Sequence, residues 1–112
     1  MITLFGLWMH TKNTALAKVG VRTMDIIVDT ESIPSVTMIH STKKYKGVIH
    51  FNSARELEFE LFDKKTNKLL KWSMQSGINP SNTAQLEDVL QPYFRALQTG
   101  VIETFDSLLK YA

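Results

Sequence analysis

Three histidines, His10, His40 and His50, are the first residues to weigh, because imidazole is the commonest general base and metal ligand near neutral pH. Each falls in or at the end of a segment that reads as a strand. One sheet could therefore bring them together as a three-histidine metal site. No HxH or HExxH spacing pairs them, and no carboxylate stands at a fixed helpful offset. The favoured reading is three scattered strand-end histidines, hydrogen-bonded or exposed.

Asp25, Asp29 and Glu31 form a carboxylate group, with Asp25 and Asp29 on one face of a strand. Paired carboxylates can move protons or hold a divalent cation. A polar strand face running into a loop is the more economical role. No GxSxG elbow is present, and neither GxGxxG nor GxxxxGK[ST] occurs among five unclustered glycines. The absence of cysteine excludes disulfides, thiolate catalysis and cysteine-bound zinc. No catalytic residue, metal site or cofactor is expected from these patterns. An enzymatic or small-ligand pocket between sheet and helices, using His40, His50 or Asp25, is the third of three functional readings.

Charge patterning carries the other two. In ARELEFELFDKKTNKLLKWSM, residues 54–74, Glu56, Glu58 and Glu60 repeat every second residue and project from one strand face. Phe62 shares their parity, so it should face outward or lie under a helix end. Like charges at this spacing repel unless cross-strand partners offset them. Lys71 and Lys68 are the expected partners, which would make the stripe a feature of its own hairpin. Left unneutralised, Glu56, Glu58, Glu60 and Phe62 would form a protein-binding face for a basic partner.

Two lysine-rich turns offer the alternative. Lys43, Lys44 and Lys46 flank Tyr45, and Lys64, Lys65 and Lys68 crowd a hairpin tip. If both turns lie at one end of a sheet, six lysines make one positive edge, with Tyr45 able to stack on a base. Solvated turns and protection of sheet edges are the favoured explanation of lysine there. Arginine, the better phosphate reader, appears only at Arg22, Arg55 and Arg95.

The elements that must position these residues follow from periodicity. MITLFGLWMH has apolar residues on both parities and reads as a strand buried on both faces. Residues 17–29 read as a long or broken strand, with a change of parity that signals a bulge. A helix over 15–29 is the competing assignment. TESIPS, residues 30–35, is a loop, 36–41 a strand, 41–47 a polar turn and 48–52 another strand. Residues 56–62 and 69–75 form a hairpin whose turn uses Asp63 and Asn67. Asn79–Pro80 signals a helix start. Leu86, Val89, Leu90, Tyr93, Phe94 and Leu97 trace an apolar helix face that continues past Pro92 with a kink or break. Gly100 is placed to cap that helix, and Ile102, Phe105, Leu108 and Leu109 suggest a second one. Trp8, Trp72, Phe5, Phe59, Phe62, Tyr93, Phe94 and Phe105 are assigned to the core, with Phe62 set apart by its parity with the glutamates.

Strands first and helices last indicate an α+β fold: a mostly antiparallel sheet of five to six strands with one or two C-terminal helices on one face. The chain has 112 residues, suited to one domain over 1–112, mainly β to residue 78 and helical from 79. With 44% hydrophobic and 21% charged residues it has an ordinary globular composition. Thirteen basic against eleven acidic residues give a net charge of +2, too little to imply nucleic acid alone. No basic n-region precedes the N-terminal apolar run, and that run is shorter than the ~20 residues of a membrane span, so a cytoplasmic protein is expected. The leading expectation is a small non-enzymatic interaction module of the inhibitor, immunity or modulator kind. Nucleic-acid binding ranks second, no membrane partner is expected, and a homodimer through the C-terminal helices stays open.

Overall fold

The computed structural model describes residues 1–102. Its order is α1 (Ile2–Ala17), β1 (Arg22–Asp29), β2 (Ser35–Ser41), β3 (Tyr45–Asn52), β4 (Leu57–Asp63), β5 (Leu69–Gln75) and α2 (Thr83–Thr99). The expected strand at residues 1–10 is instead part of α1. Its buried residues, Phe5, Met9 and Leu16, follow helical spacing. Leu4 and Leu7 are apolar but point to solvent, so the segment is hydrophobic nearly all round and shows no 3.6-residue period to read. The helix also takes residue 17 from the expected strand over 17–29, which begins only at Arg22. It closes with the Val21 N–H donating to the Leu16 carbonyl at 3.0 Å.

The five strands pair in sequence order, each antiparallel to the next. The register of β1 on β2 shifts between Thr23 and Asp25, the bulge expected from the parity change. β3 begins at Tyr45, two residues before the glycine that was expected to end the turn. Asp63 accepts the N–H groups of Lys65 and Thr66, and Asn67 adopts φ +57°, as its place in the β4–β5 turn requires.

Both helices lie on one sheet face. That face is built from Val36, Met38 and His40 of β2, Ile49 and Phe51 of β3, and Leu57, Phe59 and Leu61 of β4. Phe5 of α1 stacks on Phe51 at 4.7 Å between centroids, and Tyr93 of α2 meets Phe59 at 5.5 Å. Trp8 and Phe94 join the helices at 6.3 Å, beside a Lys12–Glu87 ion pair.

The start of α2 falls later than Asn79–Pro80. Asn82 is the cap, accepting the Gln85 N–H at 3.1 Å. Asn79 instead donates its N–H to the Gln85 side chain, so Asn79–Pro80 is the turn that leads in. Pro92 sits inside a helix that continues through it, because Tyr93, Phe94 and Leu97 are buried beyond it. Gly100 ends the helix at φ +76°, a left-handed position that favours glycine. The second C-terminal helix falls mainly on residues 103–112, outside the described residues, as does Phe105. Among the described residues no helix is long and apolar enough to cross a membrane.

Candidate functional site

The sheet face away from the helices holds the sequence-predicted acidic stripe. Three cross-strand rows define it. One runs Asp25, Ile39, Val48, Glu60, Trp72; the next runs Ile27, Thr37, His50, Glu58, Met74. A third runs Ser41, Lys46, Phe62, Leu69. Alternation puts Leu57, Phe59 and Leu61 inside and sends Glu58, Glu60 and Phe62 to this open side.

Lys71 is opposite Leu61, not a glutamate, so it sits on the other side of the sheet from the stripe. Trp72 and Met74 take the positions opposite Glu60 and Glu58. The Trp72 Nε1–H donates to Glu58 Oε2 at 2.9 Å. Trp72 is 53% exposed and Met74 49%, which corrects the assignment of Trp72 to the core. Lys46 lies over the half-buried Phe62 ring at 5.9 Å, a cation–π contact. Glu56 is set apart at the β3–β4 turn, where its carboxylate accepts from the Asn52 amide at 3.1 Å.

The lysine turns share one end of the sheet. The Lys64 N–H donates to the Lys44 carbonyl at 2.9 Å, and Lys64 Nζ donates to Ser41 Oγ and the Thr42 carbonyl. This brings Lys43, Lys44, Lys64, Lys65 and Lys68 to neighbouring turns, while Lys46 turns to the open face. Asp63, beside them, is held below the usual carboxylate range chiefly by the backbone N–H of Thr66. Tyr45 is half-buried against the core and its ring packs by Gly100, so stacking on a base would require it to leave that position.

The histidines do not converge. His10 is exposed on α1. His50 is on the open face, with Nδ1 2.8 Å from Thr37 Oγ1. His40 is fully buried on the helix side. Its Nε2 is 2.8 Å from Asn13 Oδ1, which can only accept, so Nε2 carries the proton and Nδ1 accepts the Tyr93 hydroxyl at 2.6 Å. Burial lowers the His40 pKa from 6.5 to about 4 and raises that of Tyr93. One residue each from α1, β2 and α2 thus forms a closed neutral network. Both ring nitrogens of His40 are engaged, and His50 and Asp25 project from the opposite face. The geometry does not assemble the three as a pocket. Among the described residues, no group of three or more His, Asp or Glu side chains is placed to hold a metal ion.

Trp72, Asn13 and Tyr93 carry roles that the sequence reading missed. The hairpin register, which sets Trp72 opposite Glu60, is the signal that could have placed Trp72 outside. Asn13 and Tyr93 depend on long-range packing. Comparison of the chain with protein-family models, curated proteins and solved structures finds no match.

Proposed function

We propose that this chain is a non-enzymatic protein-binding module that docks a basic protein surface on the helix-free face of its sheet. The observation that carries the reading is Trp72, half-exposed, fixed by Glu58 and lying opposite Glu60. Tryptophan, phenylalanine and methionine supply interface anchors, and Trp72, Phe62 and Met74 adjoin here. Glu58, Glu60 and Asp25 give the same face an acidic character although the chain as a whole carries +2. Lysines and arginines on a partner would pair with those carboxylates and steer its approach. Inhibitor, immunity and modulator proteins act by such occlusion.

The test is capture from the native host with tagged wild type, with Glu58→Lys/Glu60→Lys and with Trp72→Ala, all nuclease-treated and checked for folding. The captured protein is then purified and its affinity for each form measured. A stoichiometric partner that weakens at least tenfold with either variant supports the reading. A partner indifferent to both sinks it.

A second reading, binding of nucleic acid at the lysine turns, is supported by the Lys64–Lys44 backbone hydrogen bond that joins those turns. It predicts binding to duplex DNA whose logarithmic salt slope is about −0.9 for each phosphate neutralised. Substitution of Lys43, Lys44 and Lys65 by glutamine should flatten that slope. Affinity that ignores salt would dispose of this reading.

A further inference from the structure

We propose that two copies of this chain associate through the free edge of β1, joining their sheets into one antiparallel sheet of ten strands. Among the described residues β1 pairs only with β2, so its other edge presents backbone groups that no described strand pairs. Edge strands are ordinarily guarded by lysine, proline or inward-pointing charge. β5, the opposite edge, follows that rule, with Lys71, Ser73 and Gln75 on its helix side. β1 does not. Met24, Ile26, Ile27 and Val28 are each about half exposed, and no lysine or proline interrupts Arg22–Asp29. Its apolar residues lie on both faces, Ile27 on the open side and Ile26 and Val28 on the helix side. The helix side continues into a groove of about 320 Å³ where Ile26 and Val28 meet Leu7, the most exposed large apolar residue of α1.

The sequence of β1 specifies a second copy as the occupant. Two antiparallel β1 strands related by a twofold axis normal to the sheet keep each face continuous only in every second register. Centred on Asp25, that residue would face itself. Centred on Ile27, Asp25 would face Asp29. Both registers oppose like charges. Centred on Ile26, Ile26 meets Ile26 and Asp25 meets Ile27, so no carboxylate opposes another. A specific interface covers roughly 800 Å² per partner. The β1 edge is short, an eight-residue strand about 27 Å long with Leu7 beside it, so the dimer it forms is of the weak, concentration-dependent kind at the low end of interface sizes. The Asp25 carboxylate opposes association. It accepts the Ile26 N–H at 2.9 Å, at the centre of the join, and places charge beside the partner's Ile27.

Sedimentation velocity over a dilution series tests the proposal, with circular dichroism confirming that each form is folded. Wild type is expected to shift reversibly from a 12.8 kDa monomer to a dimer as concentration rises. Ile26→Lys, at an exposed position, should remain monomeric throughout. Asp25→Ala should dimerise about tenfold more tightly, since it removes the competing acceptor and the charge. Leu69→Lys, on the other edge, should match wild type. A wild type that stays monomeric up to millimolar concentration overturns the proposal. So does a dimer that survives Ile26→Lys or dissolves with Leu69→Lys. Amide exchange gives an independent readout, because protection of Ile26 and Val28 should rise with concentration in wild type and stay flat in Ile26→Lys.

Discussion

Acid should unlock this protein through one side chain. His40 titrates near 4 when folded and near 6.5 when unfolded, because burial disfavours its charged form. In the window between these values the unfolded chain binds more protons. Stability therefore rises with pH across it, is fully present above about 6.5 and is lost as pH falls toward about 4. Each pKa unit is worth 1.36 kcal/mol, so the shift removes roughly 3 kcal/mol by the bottom of the window. Against the 5–15 kcal/mol typical of a folded domain, that is a large share. Protonation also forces Nδ1 to become a donor, where it now accepts from Tyr93. The assay is urea unfolding followed by tryptophan fluorescence at a series of pH values, comparing wild type with His40→Gln. Glutamine keeps polar atoms near Asn13 and Tyr93 but does not titrate. Between neutrality and pH 4, wild type should lose about 3 kcal/mol more than the variant. Parallel stability curves would refute the reasoning. So would an imidazole resonance of His40 that titrates near 6.5 in the folded protein.

Two further substitutions probe the same packing. Gly47 lies beside His40 in the register, and a Cβ there would stand 2.7 Å from Cε2 and Cζ of the Tyr93 ring. Gly47→Ala should cost about 1–3 kcal/mol despite the better strand propensity of alanine, read as a lower urea midpoint; an unchanged midpoint would show that Tyr93 can move aside. Thr23 Oγ1 is buried at the bulge with no hydrogen-bond partner among the described residues, so Thr23→Val keeps the shape, removes the unsatisfied group and should raise stability by about 1 kcal/mol. A destabilised valine variant would mean that the hydroxyl is satisfied by solvent.

The parts of this fold that were legible in the sequence are those set by local rules. Alternation in residues 57–61 separates leucine and phenylalanine from glutamate, and Asp63 and Asn67 mark the turn that follows. The parity change near Met24 correctly locates a bulge. The 3.6-residue pattern from Leu86 to Leu97 locates α2 in spite of Pro92. What escaped was decided by tertiary contacts. α1 is apolar on nearly every side, so short-range pattern could not distinguish a helix from a doubly covered strand. The stripe Glu58, Glu60, Phe62 was legible as a face, but its neighbours were not. Lysines close in sequence seemed the natural counter-charges, whereas the register sets Trp72 and Met74 opposite the glutamates. The His40 network was illegible for a stronger reason: Asn13, His40 and Tyr93 are far apart in the chain and only the packed helices bring them together.

The order of pairing in the sheet has a consequence for how the chain acquires its structure. Every strand partner is the next strand along, so the whole sheet can grow by successive hairpins, each closing a short loop at microsecond speed. The helices obey a different schedule. α1 is made first, yet its ion pair to Glu87 and its Trp8–Phe94 contact wait for residues more than seventy positions later. During synthesis, Phe5 and Met9 can therefore meet the sheet before α2 exists, and the Tyr93 hydroxyl reaches His40 only when α2 docks. Formation of that one hydrogen bond marks the closing step, and a ribosome stalled before residue 93 would hold a hairpin sheet with half its inner face still wet.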